Sequence, residues 1–101
     1  MQPVSLTCQT DRTEVALQGT LDVREARAAR ATLNEALVRA LPLEIDAARL
    51  ERVDAAGLQL LLAFLESARA RGVDLRWRAV STALATGAEL LGLSTALGLP
   101  R

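Results

Sequence analysis

The stretch Leu50-Glu-Arg-Val-Asp-Ala-Ala-Gly-Leu-Gln-Leu-Leu-Leu-Ala-Phe-Leu65 passes from a connection into a helix at one sharp point. Asp54 suits an N-cap, because its carboxylate can accept a backbone amide from the first helical turn, and Gly57 follows three residues later. Just upstream, Leu43–Ala47 is short and apolar and reads as a buried strand that carries Asp46 to its carboxyl end. Ala48–Val53 has no clear periodicity and reads as a connection. A helix amino end in such a place exposes free amide donors and a partial positive charge. It can bind an anion, present a hydroxyl for phosphorylation, or accept a carboxylate from a partner. Equally, Asp54 can cap its own helix and Gly57 can let that helix lie close to the sheet.

The helix predicted after Asp54 runs to Arg71 and stops at Gly72, which suits a left-handed cap. At about 100° per residue, Leu61, Phe64, Leu65 and Ala68 form the centre of its apolar sector, with Leu60 on one edge and Leu58 and Leu62 on the other. The sector spans about 200°, wider than the roughly 100–140° that a helix resting on one sheet face needs. Two explanations stand: a neighbouring helix covers the remainder, or an edge made of Leu60 and Phe64 is open to a partner. The same edge could equally form a homodimer.

On the amino-terminal side, Ser5–Gln9 and Thr13–Gln18 alternate with period two and predict a hairpin through Thr10-Asp-Arg12. The alternation points Leu6 and Cys8 inward, and Gly19 and Thr20 break it. Asp22 with Glu25 forms a capping-box pair ahead of a helix over Val23–Leu41, which Pro42 ends. Its inner stripe is Val23, Ala26, Ala29, Leu33, Ala36, Leu37, Ala40 and Leu41. On the carboxyl-terminal side, Val73–Val80 predicts a strand with Leu75 and Trp77 on one face and Arg76 and Arg78 on the other. Ser81 caps a third helix through Leu91, with Leu84, Ala88 and Leu91 inward, and Ser94 begins one more turn. The order strand, strand, helix, strand, helix, strand, helix predicts a single α/β domain over residues 1–101. Its small mixed sheet is covered by amphipathic helices.

Composition narrows the chemistry. The chain has 101 residues, of which 50% are hydrophobic and 24% charged, so it can build one core. Twelve arginines balance twelve acids, which gives no long-range pull toward a phosphate backbone or an anionic membrane. Without histidine there is no Ser–His or Cys–His arrangement and no near-neutral imidazole base. Cys8 stands alone, so neither an internal disulfide nor a thiolate zinc site can form. Asp46 and Asp54 have no general-acid partner, lysine or glycine-rich phosphate loop beside them, so they are expected to be structural or docking groups. No catalytic, metal or cofactor site is expected. The start Met1-Gln-Pro-Val-Ser-Leu6 lacks a signal-peptide pattern, and the longest apolar run, Leu60–Leu65, is too short to span a bilayer, so a cytoplasmic setting is expected.

Taken in order, several segments resemble the STAS domain family, named after sulfate transporters and anti-sigma-factor antagonists. They are Gly19-Thr-Leu-Asp22, Leu43-Glu-Ile-Asp-Ala47, Val53-Asp-Ala-Ala-Gly-Leu58, Ala70-Arg-Gly72, Leu75-Arg-Trp77, Val80-Ser81 and Leu90-Leu-Gly-Leu93. The resemblance implies a STAS-like sheet of about four strands, with three to four helices mainly on one face, and a docking module rather than an enzyme. It implies docking through Asp22, Asp54, Ala55, Ala56, Gly57, Leu60 and Phe64 on a larger cytoplasmic kinase or regulatory protein, in anti-sigma or chemosensory (chemotaxis) signalling. In the regulatory antagonists the turn reads Asp-Ser-Ser-Gly or Asp-Ser-Thr-Gly, and the hydroxyl matching Ala56 is phosphorylated. Here Ala55 and Ala56 carry no hydroxyl, so no phosphorylation is expected there. A second branch, to which the helix before Leu-Gly-Leu and the terminal Leu99-Pro-Arg101 are similar, implies lipid transport: an accessory subunit of a phospholipid-transporting ABC-type ATPase. Neither branch implies nucleic acid or membrane insertion.

Overall fold

The computed structural model describes residues 2–100; Met1 and Arg101, the two ends of the stretches quoted above, lie outside the described residues. Strands β1 (Val4–Cys8) and β2 (Thr13–Leu21) form the antiparallel hairpin, with Leu6 opposite Val15. Strands β3 (Leu43–Val53) and β4 (Leu75–Val80) add in parallel, giving the sheet order β1-β2-β3-β4. Three helices, α1 (Ala26–Val38), α2 (Ala55–Ala70) and α3 (Thr82–Leu90), fill the connections and the closing segment. The core lies on the sheet face bearing Val15, Leu17, Leu43, Ile45 and Ala47. On the opposite face Ser5, Thr7, Ala16, Arg76 and Arg78 are exposed, so the mixed α/β layering expected from the element order is observed.

Two strands run further than periodicity predicts, and the irregularities that accompany this lie on β3. Where β2 pairs with β3, the register shifts between Ala16/Gln18 and between Gly19/Thr20 each place one extra residue on β3, and Gly19 sits at φ +65. β2 itself keeps its inward parity from Thr13 through Leu17 to Leu21, which is buried. In β3 the Asp46 carboxylate accepts the Ala48 amide at 3.0 Å, and the inward positions step from Ala47 to Leu50. That three-residue step erases the period of two, so Asp46 lies mid-strand and the strand continues to Val53.

Helix α1 is shorter than its apolar spacing predicts. Residues 23–25 form a turn, and Val23 is 68% exposed instead of joining the inner stripe. At the other end the helix stops at Val38, and Ala40 closes it in the left-handed region at φ +56. Arg39 donates from Nη2 to the Gln9 carbonyl at 2.6 Å, tying that end to the hairpin. Helix α3 buries Leu84 and Ala88, but Leu91, its C-cap, is exposed. Its start is as expected, with Ser81 Oγ accepting the Leu84 amide at 3.2 Å.

The remaining departures lie at the margins. Cys8 is exposed because it ends an edge strand, beyond the shelter of the core. Trp77 is half-buried on the core side of β4, and its indole Nε1 donates to the Leu97 carbonyl at 2.8 Å, holding the turn at 94–98. Among the described residues no helix is long and apolar enough to cross a membrane.

Candidate functional site

The amino end of α2 is built around Asp54, which adopts extended backbone angles as N-cap. Its Oδ1 accepts the Gly57 amide at 2.8 Å, satisfying one orphan donor of the first turn. Its Oδ2 accepts the Val23 amide at 3.1 Å, thirty-one residues away in sequence. The Asp54 amide in turn donates to the Leu21 carbonyl at 3.3 Å. One carboxylate therefore clamps the start of α2 to the chain leaving β2. Val23 was not identified from sequence. The only local hint is that a cap uses one carboxylate oxygen, which leaves the second in need of a donor.

Gly57 is required by this closeness. A Cβ at this position would overlap the Leu21 carbonyl oxygen and stand 2.9 Å from Val53 Cγ2. The steric expectation for Gly57 is thus observed, and Gly57 itself is buried. Ala55 is exposed and Ala56 half-exposed, so small side chains front the helix amino end. Asp22 stands nearby at the head of the 23–25 turn. Its Oδ1 accepts the Arg24 and Glu25 amides at 3.0 and 3.2 Å, and its Oδ2 accepts Arg24 Nη2 at 3.2 Å. Partial burial opposes ionisation of Asp22, but the Arg24 guanidinium and the two amides outweigh it and hold the carboxyl below its ordinary value. A polar cleft of about 260 Å³, lined by Pro3, Gln18, Gly19, Thr20, Asp22, Arg24 and Glu25, opens beside this turn.

The apolar flank differs from expectation. Phe64 is 4% exposed and belongs to the core, so it is not a surface group. The cause is α1, which packs alongside α2, while α3 flanks its other side. Of the two explanations for the wide apolar sector, neighbouring helices are the one observed. Leu60 is half-buried against the same core, and only a shallow cleft of about 70 Å³ remains between α1 and α2, lined in part by Leu33, Leu60 and Phe64. Five expected site residues, Asp22, Asp54, Ala55, Ala56 and Gly57, thus converge on one end of the domain. Leu60 borders the α1–α2 cleft and Phe64 is enclosed.

Asp46 and Asp54 do not converge. Much of β3 separates them, roughly 20 Å or more at strand rise. No group of three or more His, Cys, Asp or Glu side chains that could hold a metal ion occurs among the described residues.

Comparison with known proteins agrees with this architecture. The family model described as "Mlab, STAS domain" matches residues 4–100. Among solved structures, an anti-sigma factor antagonist from Mycobacterium paratuberculosis is similar with a TM-score of 0.74 and 21% identity, over 91% of this chain and 79% of that one. The unphosphorylated form of the anti-sigma factor antagonist SpoIIAA, a Bacillus cell-fate determinant, is similar with a TM-score of 0.71 and 22% identity, over 91% and 83%. Mglu is similar with a TM-score of 0.67 and 23% identity over 75% of this chain, which spans only 19% of the Mglu chain. At these identities the likenesses show the fold. No curated protein matches the chain by sequence. The family match, nearly end to end and on the expected four-stranded fold, makes this chain a member of the STAS domain family.

Proposed function

We infer that the amino end of α2 and the adjoining 22–25 turn dock on a larger cytoplasmic regulatory protein of the kinase type, in the manner of an anti-sigma-factor antagonist in bacterial signal transduction. The observation that carries this is the Asp54 clamp. By bonding Gly57 and Val23 at once, it sets two chain segments side by side as one surface. That surface presents exposed Val23, exposed Ala55 and half-exposed Ala56, with Asp22 at its rim. Small side chains allow a partner backbone to approach closely, and exposed Val23 offers apolar area worth about 25 cal/mol per Å² buried, before ordering costs. Leu60 contributes only what its half-exposed side offers.

Ala56 stands where the regulatory antagonists carry a phosphorylatable hydroxyl. This module therefore docks as a permanently unphosphorylated form, and control falls on its partner. A phosphate of charge about −1.5 to −2 at such a surface would alter charge pairing there, and an alanine removes that lever.

The test is affinity capture on the wild-type chain and on an Ala55→Arg variant of unchanged thermal stability. Retention of a kinase-type regulatory protein by the wild type and its loss from the variant support the reading. Equal retention by both removes the docking surface from it. Retention of an ABC-type ATPase subunit would instead favour the transport-accessory role raised by the likeness of the closing helix and Leu-Gly-Leu segment.

A further inference from the structure

The two edges of the sheet are finished differently. Edge strands expose unpaired amides and carbonyls, and proteins usually guard them with charge, proline or a bulge. On the β4 edge, exposed Arg76 and Arg78 supply charge, and Trp77 anchors the closing turn nearby. The β1 edge, Val4-Ser-Leu-Thr-Cys8, contains no charge, no proline and no register shift against β2.

The hydrogen bonds that flank β1 show which groups are free. Gln18 donates to the Pro3 carbonyl at 2.9 Å and Gln9 donates to the Arg12 carbonyl at 3.0 Å. Bonded pairs alternate in an antiparallel ladder, so Ser5 and Thr7 bond inward to β2. The amides and carbonyls of Val4, Leu6 and Cys8 therefore point outward, and among the described residues no turn or side chain bonds to them.

We propose that β1 pairs antiparallel with β1 of a second copy of this chain, joining the two sheets into one of eight strands. The register that uses all five residues is self-complementary about a two-fold axis through Leu6. Leu6 faces the partner's Leu6, and Val4 faces the partner's Cys8 on the apolar side, covering a half-buried leucine and an exposed thiol. On the open face Ser5 meets the partner's Thr7, a hydroxyl pair of the kind that supports cross-strand contact, and no like charges meet. A five-residue strand pair falls short of the roughly 1,200 Å² buried by stable complexes, so the association is weak and depends on concentration.

Sedimentation equilibrium of the full chain from about 10 μM to about 1 mM tests the pairing. The expected result is an average mass rising toward twice that of the monomer. In a Ser5→Lys/Thr7→Lys variant, lysines oppose each other at both open-face pairs, and association is expected to weaken by about tenfold or more. The register has its own test in a Cys8→Ser background. Ser5 and the partner's Thr7 form a non-hydrogen-bonded pair with Cα atoms about 4.5 Å apart, within disulfide reach. Ser5→Cys/Thr7→Cys is therefore expected to cross-link on mild oxidation, and Thr7→Cys alone is not. Monomer throughout the concentration range overturns the proposal. So does undiminished association of the double-lysine variant, or equal cross-linking by Thr7→Cys alone.

Discussion

Helices α1 and α2 lie side by side on the same sheet, yet they begin and end by different means. Each is preceded by an aspartate that accepts the amide three residues on, Glu25 at 3.2 Å from Asp22 and Gly57 at 2.8 Å from Asp54. From Asp54 the helix follows at once, and the spare oxygen reaches across the fold to Val23. From Asp22 only a turn follows, and the spare oxygen takes the neighbouring Arg24 side chain. The carboxyl ends repeat the contrast, with Gly72 at φ +70 after α2 and Ala40 at φ +56 after α1. The same local signal thus acts as a long-range clamp or a local turn, according to what the third residue permits. Glycine lets the chain close beneath Leu21, whereas Glu25 starts its helix further along.

That contrast can be broken most forcefully inside α2. Phe64→Ala is expected to lose about 3–5 kcal/mol in chemical denaturation, and Phe64→Asp to unfold the domain, while Leu60→Asp leaves it folded by circular dichroism. A folded Phe64→Asp protein would mean that α1 does not seal that flank. Next in size, Gly57→Ala should cost about 1–3 kcal/mol, because the overlapped Leu21 carbonyl and Val53 belong to the sheet and cannot yield easily. A neutral result would show that the close approach of α2 to β2 is not needed.

Asp54→Ala removes a cap and a tertiary hydrogen bond together, and a loss of about 1–2 kcal/mol is expected. Asp22→Ala should lose less, since its bonds stay within one turn; the reverse ranking in urea titrations would invert the comparison. Ala40→Gly relieves a left-handed alanine and is expected to stabilise by about 0.5–1 kcal/mol, raising the thermal midpoint. The smallest effect is acid sensitivity. Because the folded state holds the Asp22 carboxyl below its ordinary value, its contribution is complete above the unfolded value near about pH 4 and disappears as pH falls through the folded value. Thermal midpoints of wild type and Asp22→Asn should therefore converge between about pH 6 and about pH 3.

What could be read from the sequence was what local chemistry decides alone. Asp54, Ser81 and Gly72 act as expected because a cap or a left-handed turn needs only a few adjacent residues. Leu75 and Trp77 turn inward and Arg76 and Arg78 outward, because β4 keeps its alternation along that stretch. The second half of β3 was illegible because the step from Ala47 to Leu50 imitates a loop. Phe64 could not be placed because a wide apolar sector looks the same whether another helix or a partner covers it. Of the candidate surface, the group from Asp54 to Gly57 was legible and Val23 was not, since its link to Asp54 spans thirty-one residues.

The bond from the Trp77 indole to the Leu97 carbonyl has a practical consequence. The chain contains one tryptophan and no tyrosine, so its near-ultraviolet emission comes almost wholly from a single fluorophore seated against the last turn. A red shift on mild heating, while the far-ultraviolet helix signal persists, would register peeling of residues 94–98 from the sheet before the rest melts. Ligands or partners that grip the carboxyl-terminal segment could be titrated optically without any label.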